Sequence, residues 1–115
     1  MNVLFVCGKN RLRSPTAEHV FADWPGVETA SGGVDRDADV PVTAELLAWA
    51  DLILVMENAH RRKLAAKFRA QLGAKRVVCL RIPDDHAYMA PALVDLLKAR
   101  VSLYLPARQG APEAP

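Results

Sequence analysis

The stretch Val3-Leu4-Phe5-Val6-Cys7-Gly8-Lys9-Asn10-Arg11-Leu12-Arg13-Ser14-Pro15 decides how the rest of the chain is read. Its first four residues are a continuous β-branched and aromatic run, the pattern of a strand buried on both faces of a sheet. A polar loop follows, and Ser14-Pro15 supplies a helix start, with a side-chain cap and then proline at the first helical position. Five residues separate Cys7 from Arg13. A loop of that size wraps backbone N–H groups around an oxyanion, and the helix N-terminus adds donors and a positive dipole end. Gly8 is expected to take a backbone conformation that other residues resist. Thiolates are favoured beside helix N-termini and cations, so Cys7 reads as a nucleophile. Arg13 reads as a planar fork gripping two phosphate oxygens. Taken singly, a cysteine ending a strand is a small apolar residue and an arginine opening a helix is solvated. The ordered combination is what points to phosphate chemistry.

Outward from that stretch, the first helix is expected to carry Ala17, Val20, Phe21 and Trp24 inward and to stop at Pro25-Gly26. Val27 to Ala30 reads as a second strand, and a loop rich in Gly and Asp runs from Ser31 to Pro41. Thr43 caps a short helix through Ala50, and Leu52 to Met56 is a third buried strand. A basic amphipathic helix runs from about Asn58 to Leu72 with Leu64 and Phe68 inward, and Gly73 stops it. Arg76 to Ile82 is the fourth strand, a proline loop follows, and Pro91 to about Leu105 is the last helix. Strands alternating with helices imply an α/β fold, a parallel sheet with helices on both faces. Ligands of such sheets sit beyond the carboxyl ends of the strands. One domain over residues 1–105 is expected, with 106–115, which hold three of the eight prolines, as a disordered tail.

Composition narrows the function. With 51% hydrophobic and 24% charged residues the chain is an ordinary globular one, and a net charge of +2 does not argue for a nucleic-acid partner. Lys9, Arg11 and Arg13 concentrate cations locally, which suits a small anion. No apolar run is long enough to span a membrane, and two cysteines, Cys7 and Cys79, make no disulfide framework, so a reduced cytoplasmic protein is the expectation. His19, His60 and His86 fall on separate elements without ligand spacing, which argues against a metal. No nucleotide fingerprint is present, and no cofactor is expected.

Val3 to Glu18 resembles the N-terminal signature of low-molecular-weight protein tyrosine phosphatases, a Cys-x5-Arg-Ser loop after the first strand. Similarity continues at Thr29-Ala30-Ser31-Gly32, at Trp49 to Ile53, at Met56-Glu57 and at Ile82-Pro83-Asp84. The resemblance implies a three-layer, doubly wound, flavodoxin-like sheet of four parallel strands in the order 2-1-3-4. It also implies a reaction in two steps on phosphotyrosine or a similar aryl phosphate, on a protein or a small molecule. Cys7 takes the phosphoryl group as a phosphocysteine, and water then releases it. By the same resemblance Ser14 hydrogen-bonds the thiolate, and Asn10 and Ser31 hold the phosphate loop, residues Gly8 to Ser14, in shape. The family's general acid is an aspartate followed by proline. Here Asp84 aligns with that acid while Asp85 stands in place of the proline, and both are carried forward as candidates. Tyr88 is the candidate aromatic wall for a substrate ring, with Asp85 beside it on the rim.

Three departures bear on function. Family members are longer, and the shortening falls largely between Ser31 and Thr43, which removes part of the usual rim. Leu12 occupies the position where many members carry a second, protective cysteine. Lys9 and Arg11 make the loop unusually basic, which is expected to tighten anion binding or favour substrates with more negative charge. Two alternatives stand beside the phosphatase reading. One is a phosphate-binding module without turnover; the other is arsenate reduction, which generally relays electrons through two further cysteines where this chain has only Cys79.

Overall fold

A computed structural model describes residues 1–107. The elements follow in the order β1 (Asn2–Cys7), α1 (Arg13–Phe21), β2 (Glu28–Gly33), α2 (Ala44–Trp49), β3 (Leu52–Val55), α3 (Asn58–Lys67), α4 (Arg69–Leu72), β4 (Arg76–Cys79) and α5 (Pro91–Val101), closed by a 3-10 turn at Ser102–Tyr104. The sheet is parallel throughout and ordered β2-β1-β3-β4, as expected.

β1 is central because both of its faces are apolar. Val3, Phe5 and Cys7 join α1 and α5 residues (Ala17, Phe21, Leu93, Leu97, Val101) in one core cluster. Leu4 and Val6 turn the other way and pack with Leu47 of α2 and Leu64 of α3. That period of two lets one strand serve two cores, and each fully buried Leu or Phe side chain contributes about 1.5–3 kcal/mol. Phe5 stacks on Phe21 at 5.9 Å between ring centroids, and Trp24 continues the stack at 5.8 Å.

Element boundaries differ from the sequence reading for local reasons. α1 begins at Arg13, without a side-chain cap, because the Ser14 hydroxyl is engaged elsewhere. It ends at Phe21, and Trp24 reaches the core from the turn beyond, where Val27 N–H donates to its carbonyl. β2 runs on through Gly33 because β1 offers partners as far as Cys7. The basic helix is broken at Phe68 (φ −126°, ψ 38°), and Phe68 and Leu72 both pack on the second cluster. β4 ends at Cys79 because Arg81 adopts a left-handed φ of 57°. Leu80 and Ile82 N–H still bond Val55 and Met56 carbonyls, and Arg100 from α5 holds the Leu80 and Arg81 carbonyls. Of the tail expected to be disordered, Pro106 accepts a hydrogen bond from the Trp24 indole at 2.9 Å, and residues 108–115 lie outside those described. Among the described residues no helix is long and apolar enough to cross a membrane.

Candidate active site

The carboxyl ends of β1 and β3 open onto a cavity of about 400 Å³. Cys7 lies at its base, 3% exposed, as the last residue of β1. Its sulfur sits 2.9 Å from Ser14 Oγ and accepts the Asn10 backbone N–H at 3.2 Å, while the Asn10 side chain donates to Ser14 Oγ at 2.9 Å. Asn10 is the left-handed residue of the loop (φ 58°), which corrects the role given to Gly8. Asparagine tolerates that conformation better than most residues, and here its N–H meets the Cys7 sulfur while its side-chain amide holds Ser14 Oγ. Gly8 matters for space instead: a Cβ on it would stand 2.9 Å from Asp35 Oδ2.

The loop's carbonyls are consumed by the segment that follows β2. Val34, Asp35 and Asp39 N–H groups donate to the carbonyls of Cys7, Gly8 and Lys9 at 3.0, 3.0 and 2.9 Å. Of the N–H groups from Gly8 to Arg13, only that of Asn10 has an acceptor among the described residues, the Cys7 sulfur. A loop with most of its carbonyls bonded to protein donors and most of its N–H groups unspent is suited to cradle an anion. Gly33 makes the close approach possible, since a Cβ there would meet Ala38 Cβ and the Gly8 carbonyl oxygen, each at 2.5 Å.

Arg13 is 4% exposed, and its guanidinium is aimed by α1 and by two other elements. Nη1 donates to the Ile82 carbonyl at 2.8 Å and to Glu57 Oε2, and Nε lies 3.6 Å from Asp84 Oδ1. Glu57 also caps α3 with His60, whose Nδ1 accepts the Glu57 N–H at 3.1 Å. The Arg13 hydrogen bond holds the Glu57 carboxyl below the usual carboxylate range. Burial, reinforced by the Arg13 charge, pushes His60 down from its ordinary value. Arg13 is therefore fixed before substrate arrives, which is what a charge-stabilising fork requires.

The cations of the loop behave differently from the expectation. Lys9 pairs with Asp37 at 2.5 Å and lies 3.6 Å from Asp35, and Arg11 pairs with Asp39 at 3.0 Å. Lys63 from α3 also holds Asp35, at 2.7 Å, and this bond foremost lowers the Asp35 carboxyl below its ordinary range. Lys9 and Arg11 thus serve as fasteners to residues 35–39 and are not spare charge for an anion.

Asp84 lines the cavity with Leu12, whereas Asp85 does not and lies 3.2 Å from His86 Nε2. Tyr88 is not brought to the site: it lines a separate groove with Pro15, Glu18 and His19. Ser31 is not brought to the phosphate loop either, because its hydroxyl donates to Glu18 and its backbone pairs with Phe5. Residues that sequence reasoning missed are Glu57, Gly33, the Asp35-Asp37-Asp39 series and Thr16. Thr16 Oγ1 donates to the Leu12 carbonyl and accepts the Met89 N–H, tying the two loops together. The aspartates were legible only as alternate residues balancing Lys9 and Arg11; the others gave no local signal. Among the described residues no three His, Cys, Asp or Glu side chains converge as a metal cluster would.

No family model and no curated protein matches the chain. Solved structures do. The tyrosine phosphatase Wzb from Escherichia coli K30, in complex with phosphate, superposes with a TM-score of 0.72 at 22% identity, over 90% of this chain and 94% of that one. A low-molecular-weight protein tyrosine phosphatase from T. tengcongensis gives 0.71 at 23%, over 91% and 99%. The YwlE arginine phosphatase from Geobacillus stearothermophilus gives 0.65 at 21%, over 90% and 94%. The chain has the fold of these proteins.

Proposed function

We propose that this chain is a cysteine-dependent phosphatase acting on phosphotyrosine or a similar aryl phosphate monoester, on a protein or a small molecule. The observation that carries the reading is the Cys7 sulfur held between Ser14 Oγ and the Asn10 N–H, within the loop that Arg13 closes. The likeness in fold to proteins described as phosphatases supports it. In the first step the Cys7 thiolate attacks phosphorus. The bond from phosphorus to the leaving oxygen breaks, its electron pair stays on that oxygen, and protonated Asp84 supplies the proton. The unspent N–H groups and the Arg13 fork take up the charge of the transferring phosphoryl oxygens. In the second step water attacks the phosphocysteine, gives a proton to the Asp84 carboxylate, and releases phosphate and the Cys7 thiolate, which Ser14 stabilises. Asp84 is preferred over Asp85 as the acid because it lines the cavity and faces Arg13.

A second reading, hydrolysis of a phosphorylated guanidinium, has one observation behind it. No Phe, Tyr or Trp lines the cavity, whereas Asp35, Glu57 and Asp84 do, and one protein of the same fold is an arginine phosphatase. Arsenate reduction through a cysteine relay is not proposed, because Cys79 packs with the core cluster on the opposite face of the sheet from Cys7.

The test is turnover of para-nitrophenyl phosphate by reduced wild type and Cys7→Ser between pH 5 and 8, with phosphoarginine in parallel. Wild-type turnover lost in Cys7→Ser is expected. Turnover retained in Cys7→Ser sinks the mechanism, and phosphoarginine consumed far faster than the aryl ester selects the second reading. Tight phosphate binding by a folded, reduced protein that turns over neither substrate leaves a binding module.

A further inference from the structure

Arg13 and Thr16 stand at i and i+3 on α1, so they share one face of its first turn. Between them they hold both ends of the loop that carries Asp84. At its start, Arg13 Nη1 donates to the Ile82 carbonyl at 2.8 Å. At its end, the Met89 N–H donates to Thr16 Oγ1 at 3.0 Å. The Thr16 hydroxyl gives its own proton to the Leu12 carbonyl at 2.6 Å, which leaves its oxygen to accept from Met89. Thr16 is fully buried, so a partner lost there is not simply replaced by solvent.

The stretch between these two anchors is loosely held. Among the described residues, the backbone of residues 83–88 makes a single hydrogen bond, from the Ala90 N–H to the Ala87 carbonyl. The Asp85 side chain meets His86 within the same loop, and Asp84 reaches outward only to Arg13, at 3.6 Å. Met89 itself takes a left-handed φ of 58°, which a residue with a side chain adopts at a cost and keeps only where its surroundings hold it there. The Thr16 bond is what holds its N–H. The course of the Asp84 loop is thus set at its two ends, and both ends are fastened to the same turn of α1.

Resting on the phosphatase reading above, with Asp84 as its acid, we infer that Thr16 is a positioning residue for that acid. It fixes the far end of the Asp84 loop to the helical turn that aims Arg13, so proton donor and charge clamp keep one spacing. Thr16 touches neither the substrate nor the reacting atoms. Its contribution is felt only where the leaving oxygen needs a proton, because a donor misplaced by about an ångström loses much of its effect.

The experiment compares the full, reduced chain with Thr16→Val, Thr16→Ser, Asp84→Asn and the double variant Thr16→Val with Asp84→Asn. The substrates are phenyl phosphate, a poor leaving group, and para-nitrophenyl phosphate, a good one. Thr16→Val should lower kcat about tenfold on phenyl phosphate and roughly threefold or less on the nitrophenyl ester. Thr16→Ser, which keeps the hydroxyl, should recover most of the loss. In the Asp84→Asn background the valine should cost little more on phenyl phosphate, because the group it misplaces is already gone. Should Thr16→Val fold poorly, Thr16→Ala tests the same bond with more room around the freed N–H. A loss equal on both esters, or one that multiplies with Asp84→Asn, would mean that the hydroxyl acts through the Leu12 carbonyl and the phosphate loop, and overturns the inference. If Asp84→Asn alone leaves phenyl phosphate turnover intact, the acid assignment in the phosphatase reading falls instead.

Discussion

The loop after β1 and the loop after β4 both reach Arg13, but they are held in opposite ways. In the first, Asn10, Arg13 and Ser14 are buried, and the Cys7, Gly8, Lys9 and Leu12 carbonyls all have protein donors. In the second, the bonds gather at the two ends: Ile82 is tied to Met56 and Arg13, and Met89 to Thr16. Between them Asp84 is 62% exposed and Asp85 72%. The proposed nucleophile and charge clamp are thus fixed in advance, while the proposed acid stands at the solvent edge of the same cavity. Groups that must not move are buried, and the group that must exchange protons with water is not.

That contrast predicts the largest effect at Arg13. Arg13→Lys keeps the charge but loses the planar fork that meets Ile82, Glu57 and the phosphoryl oxygens. On para-nitrophenyl phosphate, kcat should fall by about 10²–10³, the cost of removing a preorganised donor to developing charge. A loss under tenfold would mean that the loop N–H groups alone carry the charge, and the contrast between the loops would lose its main support.

The acid loop gives the next effect. Asp84→Asn should lower kcat by about 10²-fold on esters with poor leaving groups, and less on para-nitrophenyl phosphate, whose leaving group needs little protonation. Asp85→Asn should stay close to wild type on both, because Asp85 faces His86 and not the cavity. The reverse pattern would exchange the two roles.

The same contrast explains what could be read from residues alone. The strand, the five-residue spacing from Cys7 to Arg13 and the helix start are contiguous, so local chemistry fixes them and the sequence displays them. The alternating strands and helices likewise revealed the parallel sheet, and the family resemblance supplied its order. What escaped was built between distant segments. Asp35, Asp37 and Asp39 read as loop composition until Lys9 and Arg11 were seen against them. Glu57 is separated from Arg13 by 44 residues, and no spacing rule links them. Tyr88, carried as the candidate aromatic wall, lines a different groove with Pro15, Glu18 and His19, a placement that nothing in its local sequence signals.

Gly33 lets the first loop's packing be tested without touching a side chain of the site. A methyl there would lie 2.5 Å from both Ala38 Cβ and the Gly8 carbonyl oxygen, and one of those contacts is backbone that cannot swing aside. Gly33→Ala should cost about 1–3 kcal/mol of stability by overpacking. It should also lower kcat, because the loop and residues 34–39 must part for the methyl to fit. Denaturant unfolding and turnover on the same preparation check both. Lost stability with kcat intact would show that the strap can detach without disturbing the nucleophile.

The smallest expected effect links the two loops through pH. His60 is pushed down from its ordinary 6.5, first by burial and then by Arg13 and Lys63, with Glu57 and Asp35 opposing. The unfolded chain therefore takes up a proton on this residue at a higher pH than the folded one does, and stability falls as pH drops below about 6.5. Glu57 adds a later loss: its carboxyl, lowered by Arg13 from 4.5, stabilises the fold above that value and ceases to do so as pH falls through its folded value. The melting temperature should hold near neutrality and decline in two stages, the His60 stage first and the Glu57 stage at lower pH. In His60→Gln, whose amide oxygen can still accept the Glu57 N–H, the upper stage should shrink and the lower one remain. An unchanged upper stage would place the loss elsewhere, and would mean that the α3 cap behind Arg13 is indifferent to the charge of His60.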